Sequence, residues 1–499
     1  MNLSTAKAVR RVKEVGIQKV MGASRRSLVS QYLTESILMG FVALAIALII
    51  VSLFLPVFKQ VTSKDLSLTF NSRFIITLVL ITLTTGIVSG SYPALYLSGF
   101  RPARVLKGNV KNSMSATAFR KGLVVFQFTV SVILIVSVII VYRQMQLIER
   151  SDLGYNRDHV IYFDKGGKNS ENKEDYKPGA VYKDLQTFLD KIKAVPGVVN
   201  ASNFRHSIVN REGGTTDITW QGKSPNDQTS FTDIACGYGF IETLGIKMQE
   251  GRPYSTAFGS ENDKVVVNEA AVKAMGIPDP IGKTVKIWGN DKQIIGVTND
   301  FHFQSLYKNI GPCFFDLSMN QRVSKIIVRV QPGSEKATIG KIAKLYKEYN
   351  GETLDYKFLD ADYQALYASE ARVAALSKYF AAIAIIISCL GLFGLAAFTA
   401  QKRKKEIGIR KVTGASASNI TIMLSKDFLM LVFIALLIAF PASWWLMNNW
   451  LESFSYRVAF SASVFFTAGA SVMAITLFTV IFQSVKAAVA NPVKSLRDE

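Results

Sequence analysis

Six apolar runs, each close to or above the roughly 20 residues that cross a bilayer as a helix, constrain this chain more than any other feature. They lie at Leu33–Phe58, Phe74–Leu97, Leu123–Tyr142, Tyr379–Ala400, Phe428–Trp445 and Phe460–Val485. Inside hydrocarbon, every backbone N–H and C=O needs a partner within the protein, so runs of this kind are expected to be helices. The fifth run is the least clean. Pro441 interrupts it, and Trp444, Trp445, Asn448 and Asn449 follow, a composition suited to a membrane interface. The expected fold class is an α-helical membrane protein with six transmembrane helices and one large α+β extracytoplasmic domain.

The formal charge of +21 raises nucleic acid as a partner, but its distribution argues against it. Residues 144–376 carry 29 basic and 29 acidic side chains, leaving 29 basic and 8 acidic for the rest of the chain. The excess sits in short loops beside the apolar runs: Lys7 to Arg26, Arg101 to Lys121, Lys402 to Lys411, and Lys486 to Arg497. If all six runs cross, these four regions share one side, and the bias of Lys and Arg toward the cytoplasm makes that side cytoplasmic. Both termini then lie in the cytoplasm, with 144–376 outside it, in the periplasm if the cell has two membranes. No signal peptide is visible after Met1.

One phrase occurs twice. Lys13-Glu14-Val15-Gly16-Ile17-Gln18-Lys19-Val20-Met21-Gly22-Ala23-Ser24 returns 392 residues later as Lys405-Glu406-Ile407-Gly408-Ile409-Arg410-Lys411-Val412-Thr413-Gly414-Ala415-Ser416, with nine of twelve residues identical. Val12, Val15, Ile17, Val20 and Met21 recur near helical spacing with charges between them, which predicts an amphipathic surface helix. Glu406 and Arg410 are four apart and can pair on one face. Gly22 and Gly414 suit a left-handed helix end, and Ser24 and Ser416 suit the N-cap of the next helix. Each copy continues through two apolar runs to a proline motif, Arg101–Leu106 or Asn491–Leu496. A complete two-fold repeat would add a span, an outer domain and a span before the first copy, so an N-terminally shortened chain is expected.

The expected divisions are 1–32 (first basic helix), 33–110 (first membrane pair), 120–143 (a further span), 144–376 (outer domain) and 377–499, with the second basic helix at 401–416. In the outer domain, strands are expected at Val160–Phe163, Asp217–Trp220, Lys264–Val267, Thr284–Trp288, Gln293–Val297 and Lys325–Val330, and helices at Val181–Ile192, Ala270–Met275 and Ile339–Tyr349. Asn299–Phe303 reads as a loop joining subdomains. Asp360, Asp362 and Glu370 read as a solvated helix face. A disulfide between Cys236 and Cys313 is chemically allowed there, and the pairing is left open.

Little in the chain points to catalysis. Gly276–Thr284 mimics a phosphate-binding loop but places five residues between its glycines where four are required, and its two prolines lack donors. It is read as a turn into a strand. His159, His206 and His302 fall in no metal-ligand spacing, and no cofactor is expected. Gly86, Gly90 and Ala94, spaced at four residues, predict close helix packing, and Gln127 and Thr129 predict bonds between helices.

The Glu-Ile-Gly-Ile-Arg-Lys-x-x-Gly-Ala phrase before a span resembles the FtsX-like permease domain of bacterial ABC transporters. Residues 150–365, through Glu250-Gly251-Arg252-Pro253, Asp279–Lys283 and Asp300-Phe301-His302-Phe303, resemble the MacB-like periplasmic core domain. The resemblance implies a non-catalytic permease subunit that docks a separate cytoplasmic ABC ATPase in two copies. Glu14, Gly16, Lys19 and Gly22 would form one docking site, and Glu406, Gly408, Arg410, Lys411 and Gly414 the other. It further implies mechanotransmission, in which ATPase closure reshapes the outer domain to export or extract an amphipathic substrate such as a peptide, lipid or lipoprotein. Membrane lipid and a periplasmic or outer-membrane protein are the other partners it implies. Two alternatives stay open: an ATP-driven regulator of a cell-envelope enzyme, and an ATP-independent membrane receptor.

Overall fold

A computed structural model describes residues 12–62, 64–98, 114–166, 178–209, 211, 213–317 and 325–489. By packing, these fall into two compact units. One comprises residues 1–143, 370–450 and 459–499, and the other 144–369 with 451–458.

The first unit contains six helices long and apolar enough to cross a membrane: α2 (Arg25–Thr62), α3 (Ser72–Ser98), α4 (Met114–Arg150), α10 (Ala368–Lys402), α12 (Ala417–Leu451) and α13 (Ala462–Val489). Five contain an expected run and extend past it, while the sixth begins at Ala462, two residues inside the expected Phe460–Val485. α4 has 37 residues, about 55 Å of helix, against roughly 30 Å of hydrocarbon. Pro441 does not end the fifth span, because α12 runs through it to Leu451. Pro441 withholds a donor only from the Leu437 carbonyl, one turn back, a loss that a membrane helix tolerates.

Small residues set the approach of α2 and α3. A Cβ at Gly86 would stand 2.9 Å from the Ile37 Cα, and one at Gly90 would stand 2.8 Å from Ser36. Ala94 is fully buried beside them. Thr129 on α4 reaches the Ala435 carbonyl of α12 at 3.5 Å, so one expected interhelical bond is present. The shorter contact, Ser131 to Ser388 of α10 at 2.9 Å, involves hydroxyls that the sequence reading passed over.

The second unit is built on one mixed sheet of eleven strands. In chain order these are β1 (Val160–Asp164), β2 (Val198–Phe204), β3 (Ile218–Thr219), β4 (Thr232–Cys236), β5 (Met248–Gly251), β6 (Lys264–Asn268), β7 (Thr284–Ile287), β8 (Asn290–Thr298), β9 (Cys313–Leu317), β10 (Lys325–Val330) and β11 (Tyr356–Phe358). They lie in the order β11-β1-β10-β2-β4-β9-β6-β8-β7-β3, with β5 beside β8. Helices α5 (Pro178–Lys193) and α8 (Glu335–Asn350) cover one end, packing Phe188, Ile192 and Ile342 onto Ile161, Ile326 and Val328. Helix α7 (Glu269–Met275) packs Ala271 and Met275 against Val265, Val285 and Ile294 near the other end. The short α6 (Phe240–Leu244) follows β4, and α9 (Leu359–Leu366) follows β11.

One sequence reading needs correction here, and the open question of the cysteines has an answer. The acidic run is not a solvated face. Asp360 pairs with Arg157 at 2.9 Å, and Asp362 accepts the Tyr162 hydroxyl. Arg157 also lies over the Tyr363 ring at 4.1 Å, so the side chains of α9 fasten it to the start of the sheet. The cysteines are free and buried. On the parallel pair β4–β9, Cys313 faces Thr232 and Cys236 faces Leu317. The two are four residues out of register, about 13 Å, well beyond disulfide reach.

The Asn299–Phe303 segment is a knot in this unit. The Asp300 carboxylate accepts from the Asn268 amide at 2.8 Å and from the Ala270 N–H at 2.9 Å. Asn268, itself buried, also donates to the Gly311 carbonyl and accepts from the Ala271 and Cys313 N–H groups. Phe301 stacks on Phe315 with centroids 5.5 Å apart. The His302 N–H donates to the Leu153 carbonyl, and its ring meets Tyr456 edge-on at 4.7 Å. Tyr456 belongs to the connection between α12 and α13, which this unit holds firmly. The buried Gln144 amide donates to the Tyr456 carbonyl at 2.8 Å and accepts from the Val458 N–H at 3.0 Å, while Tyr307 stacks on Phe454 at 4.4 Å.

Asn268→Ala removes four hydrogen bonds, two of them from the buried Ala271 and Cys313 N–H groups, and with them the cap of α7, a cost of about 3 kcal/mol. Thermal unfolding followed by tryptophan fluorescence should show the sheet unit melting roughly 6–12 °C earlier. Burial pushes the His302 imidazole below its ordinary value against the pull of Asp152. The unfolded chain therefore takes the proton first. The stability from a neutral His302 is complete above about pH 6.5 and is lost as the pH falls below it. His302→Gln should remove that part of the acid sensitivity in melts taken between pH 7 and 5.

Candidate docking helices

The repeated phrase folds the same way twice. Helix α1 (Val12–Val20) and helix α11 (Lys404–Val412) begin and end at positions 392 apart. Gly22 and Gly414 take φ of 93° and 95°, the left-handed region open to glycine at no steric cost. The caps match bond for bond. Gly22 N–H donates to the Lys19 carbonyl and Gly414 N–H to the Lys411 carbonyl, each at 3.2 Å. Ala23 N–H reaches the Gln18 carbonyl at 2.9 Å, and Ala415 N–H reaches the Arg410 carbonyl at 2.8 Å. Ser24 and Ser416 then cap the following span, accepting from the Ser27 and Asn419 N–H groups at 3.2 Å.

Each elbow has its own small core. Val15, Leu28 and Tyr32 bury together with Ala94 in the first copy. Ile407, Ile420 and Leu424 do so in the second, at the equivalent positions. A surface helix is thereby fixed to the foot of its membrane helix by packing as well as by the chain.

The sequence-predicted residues divide over this geometry. Glu406 and Arg410 form the expected ion pair at 2.8 Å on the outward face of α11. Arg410 also touches the Met423 sulfur on α12. Glu406 lies in the first turn of α11, and Arg410 and Lys411 in its last, the arrangement the helix dipole favours. Gly408 is buried, and the glycine of the cap, Gly414, is exposed. Lys19 is partly buried, and burial together with Arg25 lowers its pKa. For Glu14 and Gly16 on α1, and for Lys404 and Lys405 on α11, the backbone alone is described. Both proline motifs lie outside the described residues.

The apolar residues do not all share one face, as their spacing suggested. Val15 and Ile407 turn inward, while Ile17 and Ile409, two residues on, are each 57% exposed. Val20 and Val412 are 60% and 68% exposed, one turn further along the same ridge. Positions two apart on a helix differ by about 200°, so Val15 and Ile17 point to opposite sides. That angle is the signal that separates the inner pair from the outer one. Each copy thus presents Ile and Val outward, set among basic groups, on a helix that cannot swing freely. Such a knob suits a pocket on a partner.

Comparison with known proteins agrees with this division. The FtsX-like permease C-terminal family matches residues 1–102 and again 379–492, so both copies of the elbow fall within it. The MacB-like periplasmic core domain family matches residues 128–345. A macrolide export ATP-binding/permease protein MacB from Aggregatibacter actinomycetemcomitans is 26% identical over 204 residues, 38% of this chain and 32% of the relative. The protein of the same name from Hahella chejuensis is 24% identical over 247 residues, 47% of this chain and 35% of the relative. The matched stretches thus span about a third of these relatives' length. Among solved structures, the periplasmic region of MacB from Actinobacillus actinomycetemcomitans aligns with 18% identity and a TM-score of 0.31, covering 44% of this chain and 97% of that one. The extracellular domain of the transporter YknZ from Gram-positive bacteria aligns with 16% identity and a TM-score of 0.28, covering 40% and 97%. The chain thus carries an FtsX-like permease domain in two segments, with a MacB-like periplasmic core domain between them.

Proposed function

We propose that the chain is a membrane permease subunit whose α1 and α11 each dock one protomer of a separate cytoplasmic ABC ATPase. The observation that carries this reading is the pair of equivalent elbows, each presenting an exposed Ile–Val ridge at the same positions. The outward Ile17–Val20 and Ile409–Val412 pairs would fill apolar pockets. Lys19, Arg410 and Lys411 would meet acidic groups around them, with Glu406 orienting Arg410 and Glu14 standing at the equivalent position of the first copy. The glycines at 16 and 408 keep the helices slim. Gly22 and Gly414 hold the elbow that passes movement on to α2 and α12. By the cytoplasmic bias of basic loops, both termini and both docking helices would lie in the cytoplasm and residues 144–376 outside it.

Motion imposed on α11 would travel along α12 into the 451–458 connection, which Gln144, His302 and Tyr307 grip within the sheet unit. α12 need not itself carry substrate. The sheet unit changes shape, and that change drives export or extraction of an amphipathic molecule. The relatives described above are named for macrolide export. For this chain the substrate class extends no further than a peptide, lipid or other amphiphile.

Replacing Lys404, Lys405, Arg410 and Lys411 with Glu should abolish co-purification of an ATPase from mild detergent, together with the hydrolysis it brings. Ile409→Asp leaves every one of those charges in place and should still weaken capture by about tenfold or more, the effect of truncating a central interface anchor. Full ATPase capture by both variants would remove α11 from the interface.

A further inference from the structure

The first elbow carries a feature that its counterpart lacks. Along the lower part of α2, Arg25, Val29, Leu33 and Ile37 follow one another at intervals of four and form one ridge. Arg26, Ser30 and Thr34 form the ridge beside it. Together these seven residues line an open groove of about 430 Å³. One wall is aliphatic, the other is hydroxylated, and the two guanidinium groups stand at the end nearest the elbow. Val29, Leu33 and Ile37 are half-buried, while Arg25, Arg26, Ser30 and Thr34 are exposed.

The positions 392 residues later are Ala417, Ser418, Thr421, Ile422, Ser425, Lys426 and Leu429. There the two arginines are absent, and Ser and Lys interrupt the ridge where Leu33 and Thr34 stand. The inward residues of the two elbows keep their places, Leu28 with Ile420 and Tyr32 with Leu424, both pairs buried. The inward packing is thus shared by the two copies, while the groove residues are not. A general excess of basic residues at a cytoplasmic surface accounts for Arg25 and Arg26. It accounts for neither the aliphatic ridge nor the hydroxyl ridge that continues from them.

We infer that this groove is a binding site for one anionic diacyl phospholipid from the surrounding leaflet. The phosphate would lie between Arg25 and Arg26, where a guanidinium fork matches its oxygens. The Ser30 and Thr34 hydroxyls stand at the level of the glycerol esters and can donate to their carbonyls. The first acyl carbons would run along Val29, Leu33 and Ile37. From Arg25 to Ile37 is about 18 Å along the helix axis, enough to pass from headgroup depth into the hydrocarbon, which the first ridge enters at Leu33. Lys19 adds positive charge near Arg25, and Glu35 projects from another face of α2, outside the groove lining. The site needs no ATPase and stands apart from the docking reading.

The test is native mass spectrometry of the full chain, released from nanodiscs made of equal parts phosphatidylglycerol and phosphatidylcholine. The wild type should retain phosphatidylglycerol in preference to phosphatidylcholine. Arg25→Gln with Arg26→Gln should lower that retention about tenfold or more, as expected for two basic groups at an anionic surface. Val29→Trp keeps both charges and fills the groove, and it should lower retention comparably, with an unchanged melting curve showing that the fold is intact. Arg120→Gln with Lys121→Gln removes two charges elsewhere on the basic side and should leave retention as in the wild type. Equal losses in the two charge variants, or unaltered retention in Val29→Trp, would mean a diffuse electrostatic annulus and would overturn the site. So would displacement of the lipid by millimolar inorganic phosphate, which would make the groove a site for free phosphate, and so would a wild type with no preference for phosphatidylglycerol.

Discussion

At Gly22 and Gly414 the backbone turns through the left-handed region, and the membrane part of the chain depends on that turn. It ends a nine-residue surface helix and starts a membrane helix within four residues. The carbonyls left open at the helix end are met by the glycine and alanine N–H groups, and the next helix begins on a serine cap. A side chain at either glycine would have room around its Cβ but would strain the backbone. The residue type thus follows from the dihedral angle and not from crowding. The inward aliphatic residues are packed against the membrane helix, so in the proposed docking a force on the short helix would be delivered to the long one.

The sheet unit solves a related problem with hydrogen bonds. Asn268 and Asp300 bring the end of β6, the start of α7 and the approach to β9 to a single point. Gln144 does the same for the connection between α12 and α13, using both ends of one buried amide. Buried amides that satisfy donors and acceptors together specify one arrangement, since any slip leaves a group unpaired. The knot and the clamp lie side by side through His302 and Tyr456, so the connection leaving α12 is set against the most constrained loop of the sheet.

How much of this was legible in the sequence varied with the physics. Hydrophobic length revealed all six membrane helices, and it missed only where they end, because a helix runs on past the apolar stretch wherever no residue stops it. Lys325–Val330 read correctly to the residue, as a buried β-branched run should. β2 did not. Its Asn200, Ser202 and Asn203 look like loop residues, and they are acceptable in a strand because partners such as the Tyr238 carbonyl satisfy them. β11 has three exposed residues and no burial pattern to detect. The elbows were legible from Gly, Ala and Ser at fixed spacing. The outward Ile17 and Ile409 were not separated from their inward neighbours, because periodicity was read as a single apolar face. The Gln144 clamp joins residues more than 300 positions apart, and nothing local announces it.

The central claim is that the two elbows are equivalent docking sites, and stoichiometry tests it most directly. The mass of the intact detergent-solubilised complex, measured with the ATPase that co-purifies with the chain, should correspond to two ATPase protomers per chain. A complex that saturates at one protomer per chain would contradict the equivalence of α1 and α11.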